Sequence, residues 1–207
     1  MTVERQAGPR GPYAKSAQRA NDILDAATKT FSTHGYRGGS MRDIARQLDV
    51  SLTSIVHHFG TKYALLEAVL ERADKTETGT EVFDFDAACA EHGVAAATLE
   101  RVRSGLTRPA LLRLFAILAA ESSEPGHPAH EWFVDRYRRK RESLAAAFAY
   151  DQERNRINPA HDPHALSRLL IGTWDGAQLQ WLIDPSIDMV ATMREFFEWK
   201  LPEATLD

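Results

Sequence analysis

Apolar residues return at three- and four-residue intervals along most of this chain, the period of helices with one buried face. Ile23, Leu24, Ala27 and Phe31 form the first such stripe, which Gly35-Tyr36 ends. Ile44, Ala45 and Leu48 form a second, and Ile55 with Phe59 a third. Leu65, Leu66, Val69, Leu70 and Ala73 carry a fourth helix to about Asp74, and residues 76–80, with Gly79, break the pattern. Beyond the break, residues 85–103 are Ala-rich and interrupted by Gly93, a composition that packs thinly. Pro109 then opens a segment apolar nearly all round, with Leu111, Leu112, Phe115, Ile117 and Leu118. Residues 121–128 form a loop, and Pro128 starts a long helix with Trp132, Phe133, Tyr137, Leu144 and Phe148. Pro163 suits the first position of the next helix, which carries Leu166, Leu169, Leu170, Trp174, Ala177 and Trp181. A final helix over 188–200 carries Val190, Met193, Phe196, Phe197 and Trp199. The pattern predicts an all-α chain of about nine helices.

Residues 40–62 hold the most specific signal. Ser40 can cap a short helix, with Asp43 three residues on as a shortened capping box. Asp49-Val50 makes the turn, and Ser51 can cap a second helix whose inward residues are Ile55 and Phe59. Two short helices around such a turn form a helix-turn-helix, whose second helix enters the major groove while the first crosses the backbone. The free face of that second helix shows Leu52, Thr53, Ser54, His57 and His58, short side chains able to reach base edges and phosphates. Thr61 is a plausible cap for the following helix, and Lys62 at its N-terminus can hold a phosphate. With Ser40, Arg42 and Ser51 at the helix starts, these are the expected DNA contacts.

Ile23–Ala27, Phe31, Gly35-Tyr36, Ser40, Ile44-Ala45, Val50-Ser51, His58-Phe59 and Lys62, with their spacings, resemble the N-terminal domain of the tetracycline-repressor (TetR) family of bacterial transcription regulators. The resemblance spans roughly residues 16 to 70 and departs from the family at two positions. Asp49 stands where the family usually has Gly, and Asp tolerates a left-handed turn. Val56 replaces a Tyr whose hydroxyl in the family commonly touches a phosphate. The resemblance implies a helical ligand-binding and dimerisation domain behind the DNA-binding one. It also implies dimerisation through the last two long helices, and a linking fourth helix that moves when a ligand binds.

Charge agrees with that division. The chain of 207 residues has a net charge of −4, unevenly spread. Residues 1–62 hold nine Lys and Arg against five Asp and Glu, and residues 63–207 hold sixteen against twenty-four. A basic front on an acidic body suits a protein that turns one end toward phosphate. The expected organisation is a flexible basic leader over 1–15, a DNA-binding domain over 16–75 and a ligand-binding and dimerisation domain over 80–207. The leader's Arg5, Arg10 and Lys15 could form an arm along the DNA. No run of apolar residues is long enough to span a membrane, the N-terminus has no signal-like apolar core, and Cys89 is the only cysteine, so a cytoplasmic location is expected.

The C-terminal half carries the remaining expectations. Three of the four tryptophans lie on the last two helices, more aromatic surface than one antiparallel pair can hide. Leu170, Gly172, Ala177, Trp181, Met193, Phe196 and Phe197 are therefore expected at a two-fold interface built as a four-helix bundle. A ligand cavity is expected between Phe115, Trp132, Tyr137 and Trp174, near His92; no dedicated counter-ion is evident, so the ligand should be small and apolar. The run Arg138–Arg141 is answered by Glu131, Asp135 and Glu142 and reads as a solvated face. His127, His130, His161 and His164 have metal-like spacing and support an alternative, a small α-helical metalloenzyme or hydrolase. Nucleophile and phosphate-loop motifs are missing, no cofactor is expected, and the favoured reading is a dimeric, non-enzymatic repressor of palindromic operator DNA released by a small molecule.

Overall fold

Caps and breakers set the helix ends. A computed structural model describes residues 12–78, 84–204 and 206, which form ten α-helices and, among the described residues, no strand. They are α1 (Pro12–Gly38), α2 (Met41–Gln47), α3 (Leu52–Phe59), α4 (Lys62–Thr78), α5 (Phe85–His92), α6 (Val94–Leu106), α7 (Pro109–Glu121), α8 (His130–Glu153), α9 (Pro163–Ile183) and α10 (Met189–Lys200). Ser40 Oγ accepts from Asp43 N–H at the start of α2, and Ser51 Oγ from Ser54 N–H at the start of α3, both at 3.1 Å. Thr61 does the same for α4, and Asp162 and Asp188 for α9 and α10. Each cap is worth about 1 kcal/mol.

Four boundaries differ from the sequence reading. α1 begins at Pro12, so residues 12–15, read as leader, are helical; Arg5 and Arg10 lie outside the described residues. α4 runs on to Thr78, past the expected end near Asp74, while Gly79 and Thr80 lie outside the described residues. α8 starts two residues after Pro128, at His130. The interrupted segment 85–103 is two helices, because Gly93 at φ +89° turns the chain between α5 and α6. That corner is clamped from the end of α8. Buried Asp151 accepts the Val94 N–H at 2.8 Å and pairs with Arg156 at 3.1 Å. Arg156 in turn donates to the Cys89, Ala90 and Glu91 carbonyls and so caps the end of α5.

Two apolar cores result. The first joins Ile23, Ala27 and Phe31 of α1 to Ile44, Ile55, Leu65, Leu66, Val69 and Leu70. It is completed from α7 and α8 by Leu114, Phe115, Leu118 and Phe133, residues of the other expected domain. The second gathers Leu99, Val102, Phe148, Leu166, Leu170, Met193 and Phe197. Cys89 is buried in it, and burial, with Asp151 and Asp86 nearby, pushes its thiol up to about 12, away from the reactive thiolate.

The residues expected at a dimer interface divide. Leu170, Ala177, Met193 and Phe197 are buried in the protomer's own second core, a correction to the sequence expectation; Trp181 and Phe196 are half-buried against it. Gly172 faces open space, as does Gly176. The exposed apolar stripe lies one step round the same helices, at Leu169, Leu179 and Ile183 on α9 and Trp199 on α10. A helix packed on two sides carries two apolar faces, and counting apolar positions cannot say which one is inward.

Candidate nucleic-acid interface and ligand cavity

α3 stands on Ile55, which is fully buried, and presents Leu52, Thr53, Val56 and His57 to solvent as one stripe. Asp49 makes the preceding turn at φ +51°, the left-handed conformation Asp tolerates, and Val50 N–H closes it on the Ala45 carbonyl at 3.0 Å. Of the expected contacts, Arg42, Ser51, Leu52, Thr53, His57 and Thr61 are exposed, while Ser40, Ser54, His58 and Lys62 are half-buried. Ser40, Ser51 and Thr61 also spend their hydroxyls on caps. Val56 and Tyr63 are exposed large side chains beside this surface that the sequence reading did not select. Both follow from register, since Val56 is four residues after Leu52 and Tyr63 abuts Lys62.

Behind α3, the break in α1 is docked onto the end of α7. Gly35 takes φ +68°, and a Cβ there would lie 2.3 Å from Glu121 Oε1, so no other residue fits without displacing that carboxylate. Tyr36 N–H donates to Glu121 Oε2 at 2.6 Å, and Arg37 pairs with Glu124. Lys62 Nζ lies 4.3 Å over the Tyr36 ring; burial lowers its pKa while Glu121 acts against that. Lys62 therefore belongs to this joint as well as to the basic surface. The buried His127 ring meets Tyr36 edge-on at 5.3 Å.

A cavity of about 280 Å³ opens between α4, α5, α6, α8 and α9. Its apolar wall is Phe85, Leu144, Leu170, Ile171 and Trp174. Arg101, Arg136, Arg139 and Lys140 line it with Asp74, Asp84, Asp86 and Asp175. Of the five residues expected around a ligand only Trp174 lines this space. Phe115 and Trp132 stack on each other at 6.2 Å beside the first core, and Tyr137 donates its hydroxyl to Asp175 at 2.8 Å. His92 is half-exposed at the end of α5 beside Glu91. The counter-ions missing from the sequence reading are on the cavity wall, supplied by five different helices.

Residues 23–69 match the sequence model of the bacterial regulatory proteins of the tetR family. The chain carries that family's DNA-binding domain. Over 168 residues, 80% of this chain and 56% of the relative, it is 23% identical to the A-factor receptor protein of Streptomyces griseus, so it spans little more than half that protein's length. Its fold is that of regulatory protein TetR from Rhodobacter sphaeroides, with a TM-score of 0.71 at 18% identity over 87% of this chain and 97% of that one. It is also that of a transcriptional regulator from Saccharomonospora viridis in complex with choline, with a TM-score of 0.67 at 19% identity over 89% and 98% of the two chains. No helix among the described residues is long and apolar enough to cross a membrane.

Of the four histidines considered as metal ligands, His127, His130 and His161 serve local structure. His127 Nδ1 accepts from Ala129 N–H at 3.1 Å, and His130 Nδ1 bonds the Ser122 carbonyl at 2.8 Å. His161 sits 3.6 Å from Glu203, and His164 is exposed. Burial lowers the His127 pKa, with Glu121 opposing. The folded protein thus favours the neutral ring, so this contribution to stability is full above about pH 6.5 and declines as the pH falls below that. Thermal melts at about pH 7.5 and 5.5 should show a drop that is smaller in His127→Gln than in the wild type. An equal drop in both proteins would remove His127 from the account.

Proposed function

We propose that the chain acts by binding, without catalysis, as a two-fold dimer that represses transcription from a palindromic operator and lets go when a small molecule occupies the cavity. One observation carries the reading: α4 begins against the DNA-facing surface at Lys62 and reaches the cavity wall at Asp74, a turn before its end. A rigid helix with one end at each site couples them, provided the ligand favours one of its positions. The exposed Leu169, Leu179, Ile183 and Trp199, beside the open backbone at Gly172 and Gly176, support an α9–α10 four-helix interface with a second copy. Two copies would set their α3 helices about 34–36 Å apart, one turn of DNA. The cavity's apolar wall supports a ligand with an apolar body, and the choline in the Saccharomonospora viridis structure supports small-molecule binding by this fold.

The test is a gel shift with the DNA upstream of the chain's own gene. Binding with sequence preference is expected, and Thr53→Ala should alter which base pairs are preferred, at about 1–3 kcal/mol per affected position. Equal affinity for that DNA and for shuffled DNA would reject the reading.

A further inference from the structure

Asp74 is latched by two arginines of α8. Its carboxylate is in ion-pair contact with Arg136 and lies 3.4 Å from Arg139. Arg136 is 4% exposed and its guanidinium lies 4.0 Å from the centre of the Phe115 ring, so a full charge is held inside the protein. All three side chains line the cavity. Thr98 lines it too, at 2% exposure, and its Oγ1 has no hydrogen-bond partner among the described residues. A buried hydroxyl without a partner costs free energy until something supplies one.

We infer that the cavity takes a small carboxylate with an apolar body, whose head group competes with Asp74 for the Arg136 guanidinium. This rests on the cavity being the regulatory site. A guanidinium presents a planar fork that matches a carboxylate with two parallel hydrogen bonds. Arg136 cannot shed its charge and cannot be left buried without an anion. An incoming anion therefore releases Asp74 without leaving Arg136 to Asp175 alone, the other carboxylate of the cavity wall that acts on it. The exchange leaves the charge beside Arg136 unchanged, and the four basic and four acidic lining groups stay balanced as the ligand's own charge replaces one that leaves. Asp74 is 14% exposed and has a short path to water. A cation would face Arg136 with like charge, and a neutral molecule could not replace the lost anion. Phe85, Leu170 and Trp174 take the apolar body, and Thr98 waits for a hydrogen-bonding group on it. Once Asp74 is displaced, α4 is unlatched from α8 at the end remote from the DNA.

Decanoate and decanamide, alike in body and different in head group, serve as probes, read by tryptophan fluorescence in the absence of DNA. The wild-type protein should bind the acid at least about tenfold more tightly than the amide, a difference of roughly 1.4 kcal/mol. Asp74→Asn removes the competitor and should tighten the acid further. The double variant Asp74→Asn/Arg136→Gln keeps a neutral polar pair in place and should lose the preference. Equal affinities for the two probes overturn the proposal, and so does a preference that survives in the double variant. Failure of the Asp74→Asn protein to bind decanoate at millimolar concentration also overturns it. Acid binding that leaves operator binding unchanged would instead defeat the regulatory reading and leave the head-group assignment standing.

Discussion

Ile183→Asp should leave the protomer folded, turn a dimer into monomers and remove tight operator binding. Ile183 is 76% exposed in the protomer, so its loss empties no core. In the proposed dimer it lies on the stripe that includes Leu179, Leu169 and Trp199. A two-fold interface repeats every substitution, so two carboxylates would be buried there without partners. Each unpaired buried charge costs several kcal/mol, about 3–5 by comparison with broken buried pairs, which corresponds to two or more decades in the dimer constant. Sedimentation should show monomers at micromolar concentration, with an unchanged melting profile for the protomer. Operator affinity should fall with it, since one α3 helix alone covers one half-site. A variant that still sediments as a dimer would place the interface elsewhere.

Asp151→Ala should be among the most destabilising single changes in the chain. Asp151 is 3% exposed and satisfies the Val94 N–H while neutralising Arg156. Alanine would strand both partners, for an expected cost of about 3–5 kcal/mol. Asp151→Asn keeps an acceptor for Val94 and should cost less. Urea unfolding followed by circular dichroism measures the two losses, and similar small losses would show that the clamp is not what holds the corner. Since α5 and α6 form part of the cavity wall, ligand binding should weaken in step with the looser corner.

Local chemistry made the DNA-binding half legible. Ser40, Ser51 and Thr61 announce helix starts because a capping hydroxyl acts over three residues, and Asp49 announces a turn because few other side chains accept its backbone angles. The cavity was not legible, because its charges come together only in space: Asp74 from α4, Arg101 from α6, Arg136 from α8 and Asp175 from α9. The run Arg138–Arg141 reads as a solvated face, and Arg138 does pair with Asp135 and Glu142 there, but Arg139, besides bonding Asp135, reaches Asp74 and lines the cavity with Lys140. The informative arginine stands just before that run. Arg136 follows Trp132 by four residues and Phe133 by three, which puts it on the apolar face of α8, where a charge signals a buried partner. The outward apolar face of α9 was missed for a related reason. α9 is apolar on two sides, and only the packed structure shows that Leu170 and Ala177 face inward while Leu169 and Leu179 face out.

The first core has a consequence for any attempt to exchange parts between regulators. Leu114, Phe115, Leu118 and Phe133 complete it from beyond α4, and Glu121 holds the Gly35–Tyr36 turn. A chimera cut at the end of α4 would expose the α1 flank and leave the Tyr36 backbone amide without its carboxylate. The DNA reader is thus a module in sequence but not in packing. Grafting it onto a foreign effector body requires transplanting the inner face of α7 and the start of α8 along with it. The same dependence means that drift in those four apolar positions is answerable to DNA binding, although none of them comes near a base pair.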